Sequence, residues 1–174
     1  LKNVAELMEF FLDEKPASIR DELSSIVGII GLSHDIGKAT KSFQKYLFAE
    51  ESEKNKLKTQ HSLFSAMCTY YLTKELKTNK LLPLFAYITV RRHHRDLINV
   101  KDEVSLFNEK DADFLLNQID DIDDSEFKIL AEHLLAYGLP MKLNKDIIKQ
   151  WIQNFAYELK YFKRELRQSS EIKN

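Results

Sequence analysis

The chain has 174 residues, of which 44% are hydrophobic and 30% are charged, a composition expected of one soluble domain with a substantial core. Its 26 basic and 27 acidic side chains leave a formal net charge of -1, which excludes nucleic-acid binding through bulk charge and leaves only local basic patches. No apolar run approaches the roughly 18 residues of a membrane span, so no membrane partner is expected. The single cysteine, Cys68, is interpreted as a buried reduced thiol, which fits a cytoplasmic location.

Helical periodicity dominates the pattern, since only four glycines and three prolines interrupt it and no stretch alternates β-branched with polar residues. We therefore predict an all-α fold, a helical bundle. The first helix is expected to end near Lys15. Pro16 suits the first turn of a second helix, which becomes increasingly apolar toward His34. Gly37 is expected to stop that helix, and KATKSFQKYLFAE to form a shorter amphipathic one.

The charged segment EESEKNKLKTQ lacks an apolar stripe and is predicted to be a loop. After it, HSLFSAMCTYYLTKEL and LLPLFAYITVRRHH are typical of core helices; His61 opens the first, while His93 and His94 close the second. Three further helices are predicted: one in VSLFNEKDADFLLNQI, one in SEFKILAEHLLAYG and a long one from about Asp146 to Arg167.

Four of the five histidines lie at ends of apolar helices: His34, His61, His93 and His94. A single histidine in an apolar setting is usually a hydrogen-bonded core residue, and the fifth, mid-helix His133, is interpreted as structural. Four histidines together with the adjacent carboxylate of Asp35 indicate a metal site instead. Imidazole combined with one carboxylate suits Mn, Fe, Co, Ni or Zn, whereas Mg and Ca prefer all-oxygen sites and are less favoured.

Adjacent helical residues point about 100° apart, so His34 and Asp35 can line neighbouring walls of one pocket, and the two oxygens of Asp35 can bridge two cations. His93 and His94 can do the same on a facing helix. One or two divalent ions held there would activate a water for attack at phosphorus, which makes phosphoester hydrolysis the expected reaction. Asp35 and Lys38 are the predicted catalytic residues; Lys38 would neutralise a phosphate oxygen, unless it is merely an exposed helix-end lysine.

A phosphate loop is the alternative for GLSHDIGKA, which ends in Gly-Lys as the Walker motif does. The spacing excludes it, because five residues instead of four separate Gly31 from Gly37. Ala39 also replaces the Ser or Thr that would hold magnesium, and no strand is predicted before the motif.

Three stretches together resemble the HD superfamily of metal-dependent phosphohydrolases: LSHDIGKATKSFQKYL, QHSLFSAM and VRRHHRDL. The closest resemblance is to its CRISPR-associated branch, the HD nuclease domain that accompanies the type I interference helicase. The similarity is specific between about Leu32 and Leu97 and is only general helicity beyond. It implies an all-helical domain with a set of metal ligands, namely His34, Asp35, His61, His93 and His94.

The resemblance further implies a nuclease, cutting internally or from an end, that hydrolyses phosphodiester bonds of single-stranded DNA, or of RNA, in CRISPR antiviral defence. A separate or fused helicase would supply the single strand, and an effector complex would be a partner. Two alternatives stay open: an HD phosphohydrolase acting on nucleotides, and a degenerate, non-enzymatic HD docking module.

Two ligands typical of that family, a histidine in the first helix and a late aspartate, have no counterpart here. Asp146 and the acidic stretch IDDIDDSE are candidates for the aspartate by residue type only. We therefore expect a single domain over residues 1–174 that is truncated at both ends.

Positive charge clusters near the proposed ligands, and these predicted nucleic-acid contacts are Lys38, Lys41, Arg91, Arg92 and Arg95. The last helix interleaves basic with aromatic side chains, namely Lys160, Lys163, Arg164 and Arg167 with Tyr157, Tyr161 and Phe162. Such a mixture can hold a single strand through its phosphates and stacked bases, or it can be the solvated face of an amphipathic helix.

Overall fold

A computed structural model describes residues 1–50, 60–77 and 79–171, without the side chains of 168–171. Within these ranges the chain forms α-helices, one 3-10 helix at Ile36–Ala39 and no strand, which confirms the predicted all-α class. The α-helices in chain order are α1 (Lys2–Asp13), α2 (Ala17–Ser33), α3 (Lys41–Phe48), α4 (Ser62–Lys74), α5 (Leu82–Arg92), α6 (Val100–Leu106), α7 (Glu109–Asp120), α8 (Asp124–Ala136) and α9 (Lys145–Glu171). None of the described helices has the length and apolar character needed to cross a membrane.

Helix α4 forms the centre of the core. Every residue from Leu63 to Thr73 is buried, so this helix has no solvated face and must be surrounded by other elements. Helix α5 packs along it, α2 and α9 also contact it, and α1 packs on α2. On the α9 side the ring of Tyr71 stacks on Trp151 with centroids 4.9 Å apart. The ends of α2, α4 and α5 are thereby fixed relative to one another by buried apolar contacts.

One helix prediction is wrong. The segment VSLFNEKDADFLLNQI forms two helices, α6 and α7, because Phe107 adopts an extended conformation and Asn108 starts a new helix. The Asn108 side chain accepts a hydrogen bond from the backbone of Lys110, and Asp111 completes a capping box with Asn108, an arrangement that favours initiation over continuation. The predicted loop EESEKNKLKTQ lies almost entirely outside the described residues.

The end of α2 also differs from its prediction. The helix stops at Ser33, before Gly37, which lies inside the 3-10 helix. Asp35 has φ −121° and ψ 15° and caps that 3-10 helix, so the expectation that His34 and Asp35 share one helix is wrong. The Thr40 side chain then accepts from the backbone of Phe43 and starts α3. This break between α2 and α3 places the Asp35 side chain against His61 and His93, at the ends of α4 and α5.

Candidate metal centre

Asp35 lies where the ends of three core helices meet. It follows α2, whereas His61 is the N-cap residue of α4 and His93 the C-cap residue of α5. His94 stands next to His93 in the turn that follows, with the two ring centroids 3.8 Å apart. Four groups offer ligand atoms that all lie within 4.8 Å of one another, and we call them the metal-site cluster: Asp35, His61, His93 and His94.

The two carboxylate oxygens of Asp35 face different partners. Oδ1 lies 3.2 Å from Nε2 of His61 and 3.5 Å from Nε2 of His93. Oδ2 lies 3.2 Å from Nε2 of His34 and accepts a hydrogen bond from Nζ of Lys38 at 2.7 Å. His34 and Lys38 therefore share one carboxylate oxygen, and the His34 ring lies edge-on to the ring of His93 with the centroids 5.6 Å apart.

Backbone carbonyl groups orient two of the imidazole rings. Nδ1 of His93 lies 2.5 Å from the carbonyl oxygen of Val90, and Nδ1 of His34 lies 2.9 Å from that of Gly31. A carbonyl oxygen can only accept, so in both rings Nδ1 carries the hydrogen and donates it. In the neutral ring the lone pair is then on Nε2, the atom that faces Asp35. Each ring presents a metal-binding nitrogen to the carboxylate.

Two buried acceptor atoms, Oδ1 of Asp35 and Nε2 of His93, lie close together at the centre of the cluster. Neither Oδ1 of Asp35 nor Nε2 of His93 makes a hydrogen bond within the part of the chain that the structure describes. A carboxylate oxygen and an imidazole lone pair 3.5 Å apart repel each other unless a proton or a metal ion lies between them. The mixed imidazole and carboxylate donors fit a divalent transition metal, and the residues that would hold it are those of the metal-site cluster.

The electrostatics keep Asp35 ionised. Burial alone would raise its pKa, but the imidazoles of His34, His61 and His93, when protonated, and the Lys38 ammonium hold the pKa of Asp35 far below its usual range. The Asp35 carboxylate, to which a protonated imidazole can donate, raises the pKa of His93 against the opposing effect of burial. Desolvation, reinforced by its positive neighbours, lowers the pKa of His94. The carboxylate is therefore ionised at neutral pH, and His94 favours the neutral, metal-binding form.

Gly37 lets the start of α4 approach the Asp35 turn, a role that the sequence analysis missed. A Cβ atom at this position would lie 2.6 Å from the carbonyl oxygen of His61, a distance at which the two segments could not pack. The backbone N–H of Gly37 also donates to Oγ of Ser65 at 3.0 Å. A glycine followed by more helix, in an otherwise buried stretch, was the only sequence signal of this close packing.

Glu103, which the sequence analysis also missed, holds the end of α5. Its side chain is 1% exposed. Nε of Arg92 donates to its Oε2 at 2.5 Å, and Nε of Arg91 lies 3.6 Å from its Oε1. Arg91 additionally donates to Oγ of Ser62 at 3.0 Å. Both arginines precede His93 directly, so these contacts, which we call the Glu103 clamp, fix the segment that carries the histidine pair.

The other predicted site residues lie around this core. Lys38 contacts Asp35, as described, whereas Nζ of Lys41 lies 3.7 Å from Asp123. Arg95 is exposed beyond the histidine pair, and His133 is exposed in the last turn of α8.

The two aspartate candidates are placed elsewhere. Asp146 is exposed in the first turn of α9. In the acidic stretch IDDIDDSE, Asp123 caps α8 and Asp121 accepts from the backbone of Ser42. The carboxylates of Asp121 and Asp123 thus have structural hydrogen bonds, and among the described residues neither they nor Asp146 join the metal-site cluster.

An all-helical core that brings one aspartate and three histidines together from helix ends resembles the HD class of metal-dependent phosphohydrolases. No family model matches the chain, and no solved structure matches it. A curated protein, the CRISPR-associated endonuclease Cas3-HD of Methanocaldococcus jannaschii, is 24% identical over 155 residues, which are 88% of this chain and 63% of that protein. The chain thus spans less than two thirds of this relative's length. This similarity confirms the resemblance that the motifs indicated and supports an HD-type hydrolase with a divalent metal site.

Proposed function

We propose that this chain is a metal-dependent nuclease that hydrolyses phosphodiester bonds of single-stranded DNA in the cytoplasm, in CRISPR interference, with a helicase and an effector complex as partners. The observation that carries the proposal is the pair of buried acceptors, Oδ1 of Asp35 and Nε2 of His93, at the centre of the metal-site cluster. The name of the relative adds the substrate class, since that protein is an endonuclease.

In this proposal Asp35, His61, His93 and His94 would hold one transition metal ion, of Mn, Fe, Co, Ni or Zn. A bound ion of this kind supplies a nucleophilic water at neutral pH and stabilises charge developing on phosphate oxygens. The carbonyl of Val90 orients His93, and the Glu103 clamp fixes the segment on which His93 and His94 stand. Protein groups therefore preorganise the ligands before the ion arrives.

Lys38 takes the role of a second positive charge. Its ammonium group pairs with Oδ2 of Asp35, the oxygen that also faces His34. The side chain is 34% exposed, so it can turn toward a phosphate oxygen when substrate arrives. In this proposal one metal ion and the Lys38 ammonium together supply the positive charge around the Asp35 carboxylate.

The opening of the cluster toward solvent favours a polymer over an enclosed nucleotide. His94 is exposed, and Lys41 and Arg95 are exposed on neighbouring segments. Arg91 and Arg92 are engaged by Glu103, so we assign the phosphate contacts of this region to Lys38, Lys41 and Arg95. An open rim with these three cations, of which Lys38 and Lys41 also contact carboxylates, suits a strand that passes the metal site.

The test is incubation of purified protein with circular single-stranded DNA and Mn, Co or Ni. We expect cutting by the wild type, none with chelator and none by Asp35→Ala. Asp146→Ala, an exposed aspartate outside the cluster, is the matched control and should cut normally. Equal cutting by wild type and Asp35→Ala would refute the proposal.

The same preparation separates the alternatives. Product release from a panel of nucleoside phosphates and cyclic nucleotides, with DNA intact, would assign the chain to nucleotide hydrolysis. A protein that retains no transition metal, and gains no thermal stability when one is added, would be a docking module. Replacing DNA by circular RNA in the same assay decides between the two nucleic acids.

A further inference from the structure

Helix α9 carries two tyrosines with exposed side chains, far along the chain from the metal-site residues. Tyr157 is 75% exposed and Tyr161 is 37% exposed; four residues apart on a helix, they are neighbours on one face. Both line a groove of about 640 Å³ on one side and a second groove of about 480 Å³ on the other. The tyrosines therefore form a ridge between two grooves, with aromatic surface available to a ligand.

The first groove lies between α9 and α6 and is basic. Lys160, Lys163 and Arg164 line it, and none of the three forms an ion pair within the described ranges. The guanidinium of Arg164 lies 5.6 Å from the ring centre of Tyr161, a cation-π arrangement. The described residues that line this groove include no carboxylate.

The second groove, between α9 and the turn joining α4 to α5, is also basic. Lys77 and Lys80 line it. The carboxylate of Glu158 at its wall is already engaged, because Lys74 contacts Oε1 and the hydroxyl of Tyr70 donates to Oε2 at 3.0 Å. Positive charge therefore continues across the tyrosine ridge from one groove to the other.

We infer that this surface binds single-stranded DNA independently of its base sequence, as a second site outside the metal centre. We call it the α9 strip, and its members are Lys77, Lys80, Tyr157, Lys160, Tyr161 and Arg164. Lysine and arginine side chains would contact successive phosphates while unpaired bases stack on the tyrosine rings, a combination that holds single strands without reading their sequence. A duplex would offer the phosphates but not the base faces.

The α9 strip deepens the proposed function, and it rests on that proposal only for the choice of DNA as substrate. Helix α6 links the two regions: Val104 and Ser105 line the first groove, while Glu103 on the same helix clamps the segment before His93. A strand held on the α9 strip would thus lie beside an element that also supports the metal site. Binding there would keep substrate near the site between cuts.

The experiment measures fluorescence anisotropy of a labelled dT30 oligonucleotide with the full chain in excess chelator, so that no cutting occurs. We expect Lys160→Glu/Arg164→Glu to weaken binding at least about tenfold and to lower the salt slope by about 1.4, since each phosphate contact contributes roughly 0.7. Lys110→Glu/Lys128→Glu makes the same charge change on exposed positions of α7 and α8 and should bind as wild type does.

The stacking contribution is tested separately. Tyr157→Ala/Tyr161→Ala should weaken dT30 binding about tenfold with an unchanged salt slope, whereas Tyr157→Phe/Tyr161→Phe, which keeps the rings, should bind normally. Circular dichroism and thermal melting of each variant verify folding, and exposed positions make large losses unexpected.

The outcomes also separate this inference from the proposed nuclease activity. Unchanged affinity and salt slope in the charge variant, or unchanged affinity in the tyrosine-to-alanine variant, would overturn the α9 strip even if the wild type cuts DNA. Binding through the strip by a protein that cuts nothing would support the strip and refute the nuclease. Tighter binding of rU30 than of dT30 would overturn the assignment to DNA.

Discussion

Two carboxylates near the ends of α5 show how the surroundings of an acid decide its role. Glu103 is 1% exposed, and both of its oxygens face arginines, Arg91 and Arg92. Asp35 is 18% exposed and is surrounded by histidines and one lysine, and its Oδ1 makes no hydrogen bond within the described residues. Arginine never releases its proton at physiological pH, whereas histidine does.

The difference explains why only one of the two acids can exchange its partners. The Glu103 clamp is satisfied permanently and can only hold structure. Around Asp35 the histidines can lose their protons and take a metal ion instead, with the carboxylate still ionised. Variants of each acid should therefore affect different measurements.

The largest effect is expected for Asp35→Asn. This change keeps the side-chain volume but removes the charge that a metal ion needs, so nuclease activity should fall at least about 1,000-fold, or about 4 kcal/mol of transition-state stabilisation. Addition of Mn should no longer raise the melting temperature. Retained metal-dependent stabilisation, measured by thermal melting with and without Mn, would show that the ion binds elsewhere.

Glu103→Ala should act on stability instead. Removing the carboxylate leaves two largely buried arginines without their partner, and breaking a buried pair costs about 3 kcal/mol or more. Urea unfolding of the metal-free protein measures this loss. Glu132→Ala, which removes an exposed partner of Lys142, is the control and should unfold almost as wild type. A Glu103 variant that is as stable as this control would contradict the clamp.

Gly37→Ala should disturb the meeting of the two helix ends. The added Cβ would lie 2.6 Å from the backbone oxygen of His61, so the segments must separate, at a cost of about 2 kcal/mol. Metal affinity should fall with it, as titration calorimetry would detect. Gly28→Ala is the matched control on α2, because there the added atom meets only the flexible Glu9 side chain; equal losses in both variants would refute the packing argument.

The smallest effect concerns pH. In the metal-free fold the Asp35 carboxylate, to which a protonated His93 can donate, raises the pKa of His93 above 6.5. The stabilising contribution of protonated His93 is therefore complete below pH 6.5 and is lost as the pH rises through the raised value. A metal ion competes with that proton, so the stabilisation by Mn should grow as the pH rises and shrink on acidification. The loss of Mn affinity on acidification should begin above pH 6.5 and amount to about tenfold for each proton and pH unit. The lowered pKa of His94 opposes the fall in stability of the metal-free fold with rising pH, but it does not oppose the growth of Mn stabilisation with pH. Stabilisation by Mn that is independent of pH from 5 to 8 would contradict this competition.

Much of the scaffold was predictable because helices are local. The apolar spacing that defines α2, α4 and α5 repeats every three to four residues, so the sequence alone places His34, His61 and His93 at helix ends. The split between α6 and α7 was missed because a capping box at Asn108 outweighed an apolar pattern that continued past it.

By itself, the sequence determined the helical class and the donor types, since both follow from residues within a few positions of one another. Only the tertiary structure decided which oxygen of Asp35 faces His61 and which faces Lys38, and that Glu103 engages Arg91 and Arg92. The physical reason is that charge pairing depends on which distant helix ends approach within a few ångströms. Helical periodicity does not specify which helix ends meet. The burial of α4 among its neighbours does.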